Sequence, residues 1–333
     1  MRAGRGTPLR SPSRRALLGA AAGAAAWPAA FAQRDYPARP ITLVVPFAAG
    51  GIADLTARLV ARAMGKALGQ SVVIDNRPGA GGSIASDTVA KAAPDGHTLI
   101  LGNGSSHGVT PSLYPRLPYD ALKDFAPITL VATAPNVLVV SASLPVHTVQ
   151  DFLAYARARP GQLHIASGGN GSLSHLSAEL FKRMADVDLV HVPYKGAAPG
   201  LTDVAAGQVA AMVINIPSAQ ALLKAGRLQA LATTGRQRAA ALPEVPTLDE
   251  AGLKGYETTS WFALLAPART PTAVIERLQQ EIARALATPA VRERLAAQGL
   301  TPVGSTPAQF DAFMRAEIAK YARVIKDAGV KID

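Results

Sequence analysis

Between Ile41 and Met64 the stretch ITLVVPFAAGGIADLTARLVARAM changes its hydrophobic pattern once. An unbroken apolar run from Ile41 to Val45 predicts a strand. Pro46 and Ala48-Ala49-Gly50-Gly51 predict a tight turn, after which Leu55, Leu59 and Val60 fall at helical spacing. Such a turn leaves amide hydrogens unpaired at the positive end of the helix dipole, where a small anion is favoured. The stretch LHIASGGNGSLSHLSAELF, residues 163–181, repeats the arrangement. Two anion-ready turns, one in each half of the chain, predict a cleft between two lobes.

The same pattern alternates along the rest of the chain. Strands are expected at 41–46, 71–75, 98–102, 128–133, 137–141, 163–166, 189–192, 210–214, 228–233 and 261–265. Helices are expected at 51–68, 83–92, 148–158, 172–184, 197–206, 217–225, 271–287, 290–298 and 307–327. Alternation of this kind predicts an α/β protein whose parallel sheets are covered by helices, with ligands held outside the carboxyl ends of the strands. Two candidate crossings divide it. Ala132-Thr133-Ala134-Pro135-Asn136 lies between two strand-like runs, and Gly255-Tyr256-Glu257-Thr258-Thr259-Ser260 precedes Trp261-Phe262-Ala263-Leu264-Leu265. Lobe one then takes 35–133 plus 258–333, and lobe two takes 134–257.

Composition changes this picture at the N-terminus. Five arginines without an acid precede the Ala-rich stretch Ala16 to Ala32, which ends in Ala30-Phe31-Ala32. This is the pattern of an export signal over residues 1–32, cleaved near Ala32. Ser13-Arg14-Arg15-Ala16-Leu17-Leu18 looks like a twin-arginine signal, with an ordinary secretory signal as the alternative. No later apolar run approaches the ~20 residues needed to cross a bilayer. The formal charge of +11 falls to +6 without the five leader arginines. The remaining basic residues are dispersed and aromatics are few, which excludes a nucleic-acid face. The absence of cysteine excludes disulfides, thiol chemistry and a lipoprotein anchor.

Catalytic signatures are missing. There is no Gly-x-Ser-x-Gly elbow and no Walker A sequence, and neither Gly79-Ala80-Gly81-Gly82-Ser83-Ile84 nor Gly102-Asn103-Gly104-Ser105-Ser106-His107 completes a dinucleotide fingerprint. The six histidines show no metal-ligand spacing. No cofactor and no metal are expected. What remains is a set of polar loops at predicted strand ends: Ser105, Ser106 and His107; Ser167 through Ser172; His191 through Gly196; and Asn215 with Ser218. Neutral hydroxyls, amides and backbone N–H groups can hold a carboxylate without a buried counter-charge. Each loop alone also fits a structural role, its glycines serving turn geometry and Asp54 and Ser172 supporting helix starts. Their convergence favours binding.

Ordered motifs then carry a resemblance over essentially the whole mature chain. They include Tyr36-Pro37, Val45-Pro46-Phe47 through Gly50-Gly51 to Asp54, Asn76-Arg77-Pro78-Gly79-Ala80-Gly81-Gly82 and Ala93-Pro94-Asp95-Gly96. Further along come Pro111-Ser112-Leu113-Tyr114, Gly169-Asn170-Gly171-Ser172, His191-Val192-Pro193-Tyr194-Lys195-Gly196 and Val245-Pro246-Thr247. The chain resembles the Bug-type (TctC-like) solute-binding receptors of tripartite tricarboxylate transporters. The resemblance implies a two-lobed, type II, Venus-flytrap binding protein in the periplasm that closes on a small carboxylate and hands it to a membrane permease. The chain is then expected to be a non-enzymatic receptor, with a monomer as the default state and a partner of a sensory system as the alternative role. Carried over by position, the ligand contacts are Phe47, Ala49 and Gly51; Ser105, Ser106 and His107; Ser167, Asn170 and Ser172; and Asn215. Two departures stand out. Ile214 replaces an acid common before Asn-x-Pro-Ser, and Thr110 replaces an Asn common before Pro-Ser-Leu-Tyr. Ile214 makes an apolar or aromatic solute remainder the expectation, rather than an amino acid.

Overall fold

A computed structural model describes Met1 and residues 36–330. The expected export signal falls outside the described residues, apart from Met1. The strands are β1 Ile41–Val45, β2 Val72–Asn76, β3 Thr98–Asn103, β4 Phe125–Ser141, β5 Leu163–Ser167, β6 Leu189–Pro193, β7 Ala211–Asn215, β8 Leu228–Thr233, β9 Thr259–Pro267 and β10 Thr301–Pro302. The helices are α1 Ile52–Leu68, α2 Ser83–Ala90, α3 Thr110–Leu113, α4 Val149–Arg157 and α5 Leu173–Ala185. They continue with α6 Ala197–Ala205, α7 Ile216–Lys224, α8 Thr272–Ala287, α9 Pro289–Ala297 and α10 Pro307–Ala328. A π-helical turn over Gly104–Val109 leads into α3.

Strand order is β2-β1-β3-β9-β4-β7-β5-β6, with β8 and β10 paired to β4. In one half β1 runs parallel to β2 and β3, while β9 runs antiparallel to both β3 and β4. In the other, β5 runs parallel to β6 and β7, and β4 is antiparallel to β7 and β8. The apolar positions of β1 and β3 are buried because helices cover the sheet on both sides. Each half has its own core. Ile100, Trp261, Leu265 and Phe310 pack in the first. Leu138, Val140, Phe152 and Phe181 fill one side of the second sheet, and Val137, Val139, Val204 and Met212 fill the other. Burying each large apolar side chain contributes about 1.5–3 kcal/mol. The last helix, α10, reaches from β4 to α5, and its Tyr321 and Val324 join Val109 and Leu176 in an apolar seam that spans both halves.

The chain does not turn between the expected strands at 128–133 and 137–141. β4 runs unbroken for 17 residues and serves both halves. Pro135 still faces Thr259 of β9, whereas Asn136 already faces Asn215 of β7. The polar dip that reads as a turn is instead satisfied sideways. Asn136 N donates to Thr234 Oγ1 at 2.9 Å, and Thr234 N donates to Asn136 O at 2.9 Å. Thr234 also holds the second crossing, through its hydroxyl to the Thr258 carbonyl and through Thr258 N to Thr234 O at 3.1 Å. One buried threonine therefore ties both connecting strands together.

Candidate functional site

A cavity of about 540 Å³ opens where the helix starts of both halves meet. The first half supplies Phe47, Ala48, Ala49, Gly51, Ile52 and Ala53, together with Asn103, Gly104 and Ser105. The second supplies Gly168, Ser172, Leu173 and Ser174, Gly196 and Ala197, and Ile214, Asn215 and Ser218. Asn136, Ser260, Trp261 and Phe262 from the connecting strands complete it. None of these lining residues is an acid, a base or a histidine. The N-termini of α1, α5, α6 and α7 and the π-helical turn all open onto this one space. Converging helix dipoles and unpaired amides give it a positive potential with no fixed cation.

The turn before α1 is built to leave amides free. Gly50 takes φ of 86°, a left-handed conformation that other residues adopt at a cost, and its N–H donates to Asp54 Oδ2 at 2.9 Å. The same carboxylate accepts from Arg58 Nε at 2.9 Å, and its other oxygen accepts from Asn76 Nδ2 at 3.1 Å. The Arg58 hydrogen bond, chiefly, holds the Asp54 carboxyl below its ordinary range against the opposing effect of burial. Asp54 is spent on this network and turned away from the cavity, as its structural reading requires. Gly51 brings no side-chain cap, so among the described residues the amides of Ala49, Gly51, Ile52 and Ala53 donate to no protein group.

The glycine loop of the second half behaves differently from the expectation of free amides. Gly168 N donates to Ser174 Oγ, Gly169 N to Ser167 Oγ, Gly171 N to His175 Nδ1 and Ser172 N to Gly169 O. Short polar side chains fold back on their own backbone and consume these donors. The Ser172 and Ser174 hydroxyls are spent as well, Ser172 Oγ donating to Gly169 O at 2.7 Å and Ser174 Oγ lying 2.9 Å from Ser172 Oγ, so what this wall offers instead is the start of α6. There Gly196, at φ 114°, supplies no side-chain cap.

The structure brings Phe47, Ala49, Gly51, Ser105, Ser172 and Asn215 together on the cavity wall. Four other sequence-derived candidates do not line it. Ser106 and His107 are fully buried behind the π-helical turn: Ser106 Oγ lies 2.8 Å from His107 Nδ1, and Tyr119 OH donates to Ser106 O at 2.9 Å. Among the described residues no partner is hydrogen-bonded to His107 Nε2, so the geometry of a triad is not present there. Ser167 is fully buried, with Oγ 2.6 Å from His191 Nε2. Asn170 is exposed at the loop tip. Lys195 is exposed and off the wall, and Thr110 is buried, with its hydroxyl donating to Ser105 O at 2.7 Å. Sequence reading placed Gly196, at the start of α6, in a polar loop but passed over Asn136 and Ser260 as cavity residues. Their signal was weak: single polar residues within or beside apolar strand runs.

Beneath the glycine loop His175 and His191 stack at 3.8 Å between ring centroids, with planes 8° apart. Burial lowers both to about 4 and lowers His107 to about 3. At neutral pH the His175–Glu179 contact at 3.8 Å is therefore not an ion pair. These depressed values give a pH prediction. The unfolded histidines bind protons near their ordinary 6.5, while the folded ones resist until about 4, so their stabilisation is complete above pH 6.5 and is lost as pH falls toward 4. For the fully buried His107 alone the slope is at most about 1.4 kcal/mol per pH unit. Calorimetric midpoints should fall steadily between pH 6.5 and 4.5, and a flat profile there would contradict this account. Among the described residues no cluster of three or more His, Asp or Glu side chains is placed to hold a metal ion, and no helix is long and apolar enough to cross a membrane.

The paired sheets and the cavity shared between them define a two-lobed α/β solute-binding protein. The sequence profile of TctC, the "Tripartite tricarboxylate transporter family receptor", matches residues 56–330. The chain belongs to this family. Among curated relatives, Protein BugT of Bordetella pertussis is 41% identical over 298 residues, covering 89% of this chain and 91% of its own. The solved structure of Rhodopseudomonas palustris Rpa4515 with adipate is similar at a TM-score of 0.81 and 43% identity, covering 89% of this chain and 99% of that one. MatC from the same organism, with bound malate, is similar at 0.77 and 37%, covering 87% and 100%.

Proposed function

We propose that this protein is a periplasmic receptor that captures a small carboxylate with an apolar remainder and delivers it to the membrane permease of a tripartite tricarboxylate transporter. One observation carries the reading: five helix or turn starts face a cavity without a single charged lining side chain. The carboxylate is held at the free amides of Ala49, Gly51, Ile52 and Ala53, with Ser105 and the start of α6 completing its shell. Phe47, Leu173, Ile214 and Phe262 enclose the remainder of the solute. The relatives solved with adipate and malate support a carboxylate. Lobe one takes 35–133 plus 258–333 and lobe two 134–257. They close by hinge motion about the crossings held by Thr234, and the bound solute favours the closed form. No chemical step is assigned to the site.

A thermal-shift screen of carboxylic acids, preceded by native mass spectrometry of freshly purified protein, tests this. A bound acid at one hundred times its Kd should stabilise the fold by about 2.7 kcal/mol, in a concentration-dependent way. A screen in which amines raise the midpoint and acids do not would overturn it. Ile214→Asp should weaken binding of adipate at least about tenfold by placing an anion on the wall. It should also raise affinity for amino acids. Calorimetry checks both, and unchanged adipate binding would contradict the placement of Ile214.

A further inference from the structure

The cavity holds two asparagines, Asn136 of β4 and Asn215 of β7, that stand directly opposite each other across the strand pair. Directly opposed residues of an antiparallel pair carry their side chains on one face with Cβ atoms about 5 Å apart. Both side-chain oxygens are already fixed. Oδ1 of Asn136 accepts from Ser260 Oγ at 2.9 Å, and Oδ1 of Asn215 accepts from Ser218 Oγ at 2.8 Å and Ser218 N at 3.1 Å. With the oxygens held, each NH2 group points away from those serines, and among the described residues neither Nδ2 donates to a protein group. Asn136 is only 3% exposed. Neither Nδ2 is among the fully buried polar atoms without a partner, so both donors face the open cavity, where an acceptor on the solute can take the place of water.

We propose that Asn136 and Asn215 act as one recognition unit, a cross-strand pair of amide donors that takes a second acceptor group of the solute, separate from the carboxylate at the α1 turn. Ser260 and Ser218 are positioning residues that keep both NH2 groups turned toward the solute. The unit sits where β4 exchanges its β9 partner for β7, on the strand shared by both halves. A solute gripped there engages the crossing itself as well as the two walls. The inference rests on the carboxylate-receptor reading and amends it at one end: the apolar part of the solute lies between the carboxylate at the α1 turn and a second acceptor at this pair.

Calorimetry with adipate and with hexanoate, which differ by one terminal carboxylate, tests the pair. The wild type should bind adipate at least about tenfold tighter than hexanoate. In Asn136→Asp and in Asn215→Asp, where an acceptor of the same shape replaces the donor, this ratio should collapse by about tenfold or more. Ser260→Ala should lower it by a smaller factor, because the amide is free to rotate. A merely structural role would weaken both acids alike and leave the ratio in place. A ratio within twofold of wild type in both aspartate variants overturns the pair, as does a wild type without preference for adipate. Should Asn136→Asp fail to fold, Asn215→Asp, at a partly exposed position, decides alone. A wild type that binds neither acid overturns the carboxylate reading too, which separates the two failures.

Discussion

Asp54→Ala is expected to lower stability by about 3 kcal/mol and to weaken solute binding by about a hundredfold. The carboxylate is 2% exposed and serves three donors: the Gly50 amide, the Asn76 amide and Arg58. Removing it leaves the Gly50 amide in a partly buried site without an acceptor and one of the two Asn76 Nδ2 bonds unmade, the other, to Phe47 O at 3.0 Å, remaining. Arg58 is exposed and recovers water, so its share is small. The binding loss follows from geometry. Gly50 is held at positive φ by this bond, and without it the turn is free to rotate the amides of Ala49 and Gly51 out of line. Because Asp54 titrates below the ordinary carboxylate range, its stabilisation is present in full at neutral pH and is lost only in strong acid. Urea denaturation of the variant checks the first figure and calorimetry the second. A loss under about 1 kcal/mol would mean that the turn holds its shape without Asp54.

Thr234→Val should cost a similar amount, about 3 kcal/mol, although it removes one oxygen and keeps the shape. The hydroxyl accepts from Asn136 N and donates to the Thr258 carbonyl, both buried at the crossings. Valine leaves an orphaned N–H on one connecting strand and an orphaned C=O on the other. The damage falls where the halves join rather than within either core. The variant should therefore show a broadened unfolding transition, with the wild-type contacts of Phe152 and Phe181 retained. Differential scanning calorimetry reads the transition, and ring-proton NMR shifts of the two phenylalanines read the contact. A sharp transition at the wild-type midpoint would remove Thr234 from its place at the junction.

Most of the fold was legible in the sequence because burial on two faces writes continuous apolar runs, and helices on one face write a 3.6-residue period. Those signals placed β1, β3, β5 and the helices from α4 to α8 within a residue or two of their observed ends. β4 misled because Thr133, Pro135 and Asn136 look like a turn. The partners that let the strand continue, Thr234 and Ser260, are about a hundred residues away and invisible to local pattern. The same distance hid Asn136 as a cavity residue. The turn before α1 was readable from its glycines alone. The loop over 168–172 was not, because whether its amides are free depends on where Ser167, Ser174 and His175 point. Ser106 and His107 misled through their chemistry. A serine and a histidine beside a glycine loop suggest a site, yet here they pack behind it against Tyr119 and Phe125.

The central claim is that amides at the start of α1, rather than any basic side chain, hold the solute's carboxylate. A crystal structure with the acid that raises the thermal midpoint most tests it directly. The account predicts a carboxylate oxygen about 2.7–3.2 Å from the backbone nitrogens of Gly51 or Ile52, enclosed by both halves. A carboxylate found instead against Lys195 or an arginine, with those amides facing only water, would contradict it.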